Sequence, residues 1–205
     1  MCSLSQSEIE NTKKILSEFE SLYPVSPDLF DPLFEVGEVR DYTRQEIIMH
    51  PGQQLREVHI VLSGLIGSTY ISGNKVVMNA MAIPCTVLLH GGSFFRKRAP
   101  MMQWEALVNT RTLCIPDSFI REYMQKSHEF ALWMHGVAEN FILYSEERAI
   151  LLSGDAERRY LNLEKNLPRR IFRELPSRVV ARYLGITEQS LSRIKRSLLK
   201  SESDD

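Results

Sequence analysis

Residues 177–196, near the C-terminus, constrain the fold more than any other stretch of the chain. Apolar residues occupy the positions that two short helices crossing at a steep angle have to bury: Val180, Leu184, Ile186, Leu191 and Ile194. Gly185 lies where the turn needs a positive φ, and Thr187 can cap the second helix. The spacing predicts a helix-turn-helix. The alternative is an ordinary helix pair with no role in DNA binding.

Charge is strongly segregated along the chain. Residues 156–200 contain twelve Lys or Arg against four Glu, a net charge of +8, whereas the whole chain has −1, so the rest carries −9. Such segregation is the electrostatic signature of a domain that binds a polyanion. A solvated basic surface is the alternative, and the coincidence with the helix-turn-helix disfavours it.

The length of 205 residues, 43% of them apolar, allows one large core and a small second one. No run of 18 apolar residues and no signal-peptide pattern is present, so we expect a cytoplasmic protein without contact to a membrane. Cys2, Cys85 and Cys114 lack the close spacing of metal ligands and are expected to be reduced structural thiols. The histidines form no close pair either, and His59 is interpreted as a satisfied core residue. We therefore predict no metal site.

The apolar period is two from about Phe34 to Ile115 and helical on either side. Many short strands separated by turn signals predict an antiparallel sandwich or barrel that no helix interrupts. We expect helices over 7–23, with Ser7 as N-cap, from Asp117 or Ser118 to about Lys126, over about 128–152, and over 156–167.

The long helix at 128–152 carries a stripe at alternating steps of four and three, as in a coiled-coil seam. The stripe consists of Phe130, Met134, Val137, Phe141, Tyr144 and Leu151. It predicts a homodimer interface. Packing of the stripe on the helix's own β-domain is the alternative, because Gly136 and Arg148 weaken the seam.

This order of elements, with Gly-Ile-Thr-Glu-Gln-Ser-Leu-Ser-Arg-Ile at 185–194 and Ala-Glu-Arg-Arg-Tyr-Leu-Asn-Leu at 156–163, resembles the cyclic-AMP receptor and fumarate–nitrate regulator (Crp/Fnr) family of bacterial transcription factors. The resemblance covers nearly the whole chain. It implies an α+β fold with a double-stranded β-helix (a β-roll or jelly roll, cyclic-nucleotide-binding-like) and an N-terminal helix as sensor domain at 1–127. The resemblance also implies a long dimerisation helix at 128–153 and an all-α helix-turn-helix domain at 154–205. Residues 201–205 form an acidic tail that we predict to be disordered. We expect this tail to leave no room for the family's β-wing.

The family resemblance also implies how DNA would be bound. The second helix would enter the major groove, with Glu188, Gln189 and Arg193 at the family's base-reading positions. Thr187 and Ser190 would reach phosphates or base edges. Contacts to the DNA backbone would come from Ser177, Arg178, Lys195 and Arg196. The expected partners are a two-fold symmetric operator and a second copy of the chain, while a contact with RNA polymerase stays open.

One departure from the family concerns the ligand. Members that bind a cyclic nucleotide carry a Gly-Glu pair and, further along, Arg-Ser or Arg-Thr. Here 88–104 contains no Glu, and the Arg-Ser position falls on Pro100 and Met101. We therefore predict no cofactor and no conventionally bound cyclic nucleotide. An acidic metabolite is one hypothesis, a solvated basic loop the alternative. The candidate ligand residues are His90, Gly91, Gly92, Ser93, Arg96, Arg98, Met101 and Met102.

Together these features predict a homodimeric, sequence-specific transcriptional regulator whose effector is not a conventionally bound cyclic nucleotide. The alternative is a small-molecule sensor whose C-terminal domain contacts protein instead of specific DNA. An enzyme is not expected, because no nucleophile–base set, carboxylate pair or phosphate loop has suitable spacing.

Overall fold

The computed structural model describes residues 4–18 and 24–201. Helix α1 (Gln6–Ser17) is followed by a 3₁₀ turn (Pro27–Phe30) and α2 (Asp31–Val36). Ser5, not Ser7, is the N-cap of α1, because its side chain and Glu8 form a reciprocal capping box. Residues 19–23 of the predicted first helix lie outside the described part of the chain.

Eight strands form two four-stranded antiparallel sheets, which confirms the predicted α+β class and β-roll. The strands are β1 (Glu38–Tyr42), β2 (Ile47–Met49), β3 (Glu57–Ser63), β4 (Ile66–Ser72), β5 (Lys75–Ala82), β6 (Val87–Leu88), β7 (Gln103–Ala106) and β8 (Thr110–Pro116). Their order is β1-β8-β3-β6 in the first sheet and β2-β7-β4-β5 in the second. Successive residues of β3, such as Ile60 and Val61, belong to cores on opposite faces of the first sheet.

A short helix, α3 (Gly91–Arg96), lies between β6 and β7, so the expectation of an uninterrupted β-domain is wrong. The N-cap of α3 explains why this helix was hard to predict. The His90 side chain accepts a hydrogen bond from the Ser93 amide at 3.0 Å, and imidazole is not among the usual N-cap groups.

Six helices follow the sheets in the described part of the chain. They are α4 (Asp117–Lys126), α5 (His128–Ser153), α6 (Ala156–Asn166), α7 (Arg169–Glu174), α8 (Ser177–Leu184) and α9 (Glu188–Ser201). The predicted bounds of α4, α5 and α6 are confirmed to within one residue, but neither Asp117 nor Ser118 caps α4, whose N-cap is Pro116. No described helix has the length and apolar character needed to cross a bilayer. Residues 202–205 are outside the described part, so the missing wing and the disordered tail stay predictions.

Helix α5 packs its inner face on its own chain. Phe130, Met134 and Val137 are 0%, 3% and 2% exposed in the core that α5 forms with the first sheet and the N-terminal helices. The prediction of a dimer seam is therefore wrong for these three residues. A stripe at steps of four and three fits a helix packed on its own domain equally well. Tyr144 and Leu151 also contact their own chain, through Tyr183 and the C-terminal core respectively.

The second half of α5 carries exposed apolar residues. Ile142, Leu143 and Ile150 are 62%, 55% and 71% exposed, and we call these three residues the outer face of α5. Phe141, a member of the predicted stripe, is 36% exposed. A group of exposed apolar residues of this kind is typical of an interaction surface.

Candidate nucleic-acid interface and ligand groove

Helices α8 and α9 form the predicted helix-turn-helix. Gly185 follows α8 with φ of 66°, in the left-handed region that glycine adopts without strain. Thr187 caps α9, since its Oγ1 accepts a hydrogen bond from the Ser190 amide at 3.1 Å. Leu184 and Leu191 are buried between the helices at 0% and 1% exposure. The predicted turn and cap are thus confirmed.

Two arginines from outside the motif hold the C-terminal end of α8. Arg148 of α5 donates through Nη2 to the carbonyl oxygen of Tyr183, and Arg159 of α6 donates through Nη1 to that of Leu184 at 2.7 Å. The last carbonyls of a helix lack partners within it and carry partial negative charge, so both contacts are favourable. They join the motif to the preceding helices.

One face of α9 is exposed and polar. Glu188, Gln189, Arg193 and Arg196 share it at the spacing of successive turns. Ser192 belongs to the same face and accepts a hydrogen bond from Arg196 Nη2 at 3.3 Å, although sequence reasoning did not include it. The signal that could have found it is its position three residues after Gln189.

The other residues predicted to contact DNA differ in their exposure. Ser177 and Arg178 are exposed at the start of α8, and Thr187 is exposed before α9. Ser190 and Lys195 are half-buried, and the Ser190 hydroxyl lies 2.9 Å from that of Thr187. The structure therefore brings most of the predicted residues to one side of the motif, with Ser190 and Lys195 at its edge.

The arginines of this surface are not neutralised within the described chain. Arg178, Arg193 and Arg196 form no ion pair among residues 4–18 and 24–201. In contrast, Arg170 on the neighbouring α7 pairs with Glu174 at 3.2 Å. Free positive charge at the motif is what a phosphate-binding surface requires.

Replacing Gly185 by alanine is expected to lower the free energy of unfolding by about 1–2 kcal/mol, because an L-residue is strained at positive φ. Steric clash should contribute little, since the nearest atom to an added Cβ is Arg159 Nη1 at 3.6 Å. Gly154→Ala is the matched control: its φ of −76° suits any residue and its Cβ would lie 3.5 Å from the Leu151 oxygen. Urea denaturation measures both, and equal losses would contradict the explanation by backbone strain.

A groove of about 1400 Å³ lies between the β-roll and helices α5 and α6. The strands contribute Ser68, Asn79 and Trp104, and α5 contributes Tyr144 and Arg148. Leu143 and Ile150 of the outer face of α5 also line it, so that face borders the groove. It is mostly apolar with a few polar groups, the usual composition of a small-molecule site. Its wall includes Arg148, which also contacts α8, so the groove adjoins the helix-turn-helix.

Two groove residues carry buried polar atoms without a hydrogen-bond partner in the described chain. They are Asn79 Oδ1 and, on Arg148, both Nε and Nη1. The Arg148 guanidinium lies 3.9 Å from the centre of the Tyr183 ring, and no carboxylate pairs with it in that part of the chain. Burial lowers the pKa of Arg148. A buried, unpaired cation is costly, and a bound anion would relieve that cost.

The predicted ligand loop is only partly in the groove. His90, Gly91 and Met102 line it, whereas Gly92 and Ser93 do not. Ser93 is buried, and its hydroxyl donates to the Arg98 carbonyl at 3.0 Å. Arg96, Arg98 and Met101 are exposed and absent from the groove wall, so the structure does not bring the predicted loop residues together in one groove.

Three solved structures show what the chain is similar to. FixK2 from Bradyrhizobium japonicum gives a TM-score of 0.71 at 20% identity, over 82% of this chain and 86% of that one. The c-di-GMP-responsive global regulator CLP from Xanthomonas campestris gives 0.69 at 12%, over 86% and 93%. The Thermus thermophilus catabolite activator protein gives 0.54 at 15%, over 87% and 85%.

These three proteins are Crp/Fnr regulators, and the chain shares their fold. No protein-family model matches the sequence, and no curated protein matches it either. Identities of this size establish similarity of fold alone, so the function has to be argued from this chain's own residues.

Proposed function

We propose that this chain, which has the fold of the Crp/Fnr regulators, is a sequence-specific DNA-binding transcriptional regulator that acts in the cytoplasm. The observation that carries the proposal is the exposed polar face of α9, which belongs to a segment of charge +8 and is held by a capped turn. Regulatory neighbours also favour a role without catalysis. The direction of regulation and any contact with RNA polymerase depend on surfaces outside this motif.

Base reading would fall to three side chains at the start and middle of α9. Gln189 suits adenine, Arg193 suits guanine through a bidentate contact, and Glu188 can accept from cytosine. All three are exposed, as a helix lying in the major groove requires. Ser192, on the same face, is a further candidate for a phosphate or base-edge contact.

A two-fold symmetric operator would need two copies of the chain. We place their contact on the outer face of α5 in place of the inner stripe, because Ile142, Leu143 and Ile150 are exposed and apolar. Leu143 and Ile150 are seven residues apart, which is two turns and keeps them on one line of contact. Pairing of these faces would remove apolar surface from water.

The groove would receive the input signal. We propose an effector with an anionic or acceptor group facing Arg148 Nε and Nη1 and a donor facing Asn79 Oδ1, since these atoms have no partner in the described chain. Arg148 also binds the carbonyl oxygens of Met78 in β5 and Tyr183 in α8. A ligand that draws Arg148 toward itself would change how α8 is held on the β-roll.

Selection from random-sequence DNA, followed by anisotropy titration at several salt concentrations, tests the proposed function. We expect one recurrent two-fold symmetric sequence that binds more tightly than competitor DNA. If no sequence emerges above the non-specific background, the regulator proposal fails, and the alternative, a sensor whose C-terminal domain contacts protein, takes its place.

Arg178→Ala and Arg196→Ala are each expected to reduce the slope of log K against log[salt] by about one per half-site, or about two for the two-fold operator, because each would remove one phosphate contact and its released counterion from each chain. Arg170→Ala is the matched control, since Arg170 is exposed on α7 and paired with Glu174. A slope unchanged in the first two variants, or reduced equally in the control, would contradict this placement of the phosphate contacts.

A further inference from the structure

A cluster of potential metal ligands lies in the first sheet, away from the groove wall and the helix-turn-helix. His59 of β3 and Cys114 of β8 are direct partners across neighbouring strands. Glu57 lies two residues before His59, on the same face of β3. One ligand atom from each of these three residues can be chosen so that all lie within 4.8 Å of one another.

The imidazole of His59 is buried and only partly used by the protein. Its Nδ1 lies 3.2 Å from Thr112 Oγ1 and 3.4 Å from Cys114 Sγ. Its Nε2 is buried without a hydrogen-bond partner among the described residues and lies 4.0 Å from Glu57 Oε2. His59 is 1% exposed, so this nitrogen has no contact with solvent either. A buried imidazole nitrogen without a partner is a candidate metal ligand.

The groups around these three residues can hydrogen-bond to the proposed ligands. Thr112 Oγ1 lies 3.2 Å and Tyr42 OH 3.8 Å from Cys114 Sγ, so two hydroxyls can donate to a thiolate. Arg40 donates to both oxygens of Glu57, at 2.7 and 2.8 Å, and fixes the carboxylate. Outer contacts of this kind orient ligands and tune their basicity.

Arg40 does not prevent coordination by Glu57. A metal needs only one carboxylate oxygen, and Oε2, which faces His59, can turn to it while Arg40 Nη2 keeps Oε1. Arg40 also retains Glu38 as a second partner, at 2.9 Å. The guanidinium would then balance one of the two negative charges that the thiolate and the carboxylate bring.

We propose that Glu57, His59 and Cys114 form a binding site for a divalent transition metal of the zinc class. Bond lengths of about 2.0–2.3 Å around a tetrahedral ion place ligand atoms roughly 3.3–3.8 Å apart. The Sγ–Nδ1 distance of 3.4 Å is already in that range, whereas the Glu57 oxygen faces the other ring nitrogen, Nε2, at 4.0 Å. Rotation of the His59 or Glu57 side chain therefore has to bring sulfur, oxygen and one nitrogen to the same ion, and atoms that lie up to 4.8 Å apart have to close by up to about 1.5 Å. One sulfur and one nitrogen ligand exclude Mg²⁺ and Ca²⁺, which prefer oxygen.

The site does not depend on the proposed DNA-binding function, and its test does not involve DNA. The full chain is purified as Cys2→Ser/Cys85→Ser, so that Cys114 is the remaining thiol. Titration with Co²⁺ is followed by absorbance, and Zn²⁺ binding is measured by calorimetry. We expect one ion per chain, a sulfur-to-cobalt charge-transfer band, and displacement of Co²⁺ by Zn²⁺.

Two variants test Cys114 and Glu57 as ligands. Cys114→Ser should abolish the charge-transfer band, and Glu57→Gln should retain it while weakening Zn²⁺ binding about tenfold or more, since even outer-shell substitutions cost 10–100-fold. Glu57 is half-buried, so Glu57→Gln keeps the test informative if Cys114→Ser does not fold. A folded parent that binds no ion, a band that persists in Cys114→Ser, or Zn²⁺ affinity unchanged in Glu57→Gln would each overturn the proposal.

Discussion

Replacing Phe130 by alanine is expected to lower the free energy of unfolding by about 3–5 kcal/mol, the range for deleting a large aromatic side chain from a core. Phe130 is 0% exposed, and its ring stacks on Tyr123 at 4.3 Å and on Trp133 at 5.6 Å between centroids. The Ala variant would leave a cavity among aromatic groups that cannot collapse easily. Urea denaturation at several protein concentrations measures the loss, which should be the same at all of them.

Ile150→Glu is expected to weaken the association of two chains without destabilising the single chain. Ile150 is 71% exposed on the outer face of α5, so a charge there meets water in the single chain. In a dimer paired through this face it would be buried without a partner, which we expect to weaken association by about 2 kcal/mol or more. Sedimentation equilibrium measures the association, and the dependence of stability on protein concentration should disappear.

The two variants together decide which face of α5 joins the copies. If Phe130→Ala weakened association while stability per folded chain stayed constant, the inner stripe would be the interface after all. If Ile150→Glu left association unchanged, the outer face would not be the interface. Leu199→Glu on α9, where Leu199 is 65% exposed, is a control for adding a charge at an exposed apolar residue of another helix.

The fold could be predicted where the local pattern and tertiary packing agree. The change of period at Phe34 and after Pro116 separated the β-roll from its helices, and Gly185 and Thr187 fixed the turn between α8 and α9. The stripe on α5 was predictable as a buried face, but its partner was not. Periodicity states that a face is buried and does not state whether the covering surface belongs to the same chain.

The sites were less predictable because they join residues that are distant in sequence. His59 and Cys114 are adjacent only through the register of β3 and β8, so spacing rules for metal ligands found no signal. The sequence suggested that Arg148 weakens a dimer seam, whereas it contacts the middle of β5 and the C-terminal end of α8, both far from it along the chain. The basic composition of residues 96–98 suggested a ligand site. These residues are exposed at the C-terminal end of α3, a helix that was not predicted.

Arg193→Ala is expected to weaken binding to the selected operator by about 1–3 kcal/mol per half-site, or roughly 5- to 150-fold, and to relax the preference at one base pair in each half. The side chain is exposed in the middle of the α9 face and forms no ion pair among the described residues. A bidentate contact to guanine therefore needs no internal bond to be broken. Anisotropy titration against the operator and against each single-base variant measures both effects.

Arg196→Ala is the control variant for Arg193→Ala. Both arginines are exposed on one face of α9, and each variant loses one positive charge. A phosphate contact weakens all sequences alike, whereas a base contact weakens the operator more than its variant at the matched position. If Arg193→Ala lowered affinity for every sequence equally, as expected of Arg196→Ala, Arg193 would bind the backbone. Base reading would then have to come from Glu188 and Gln189, nearer the N-terminal end of α9.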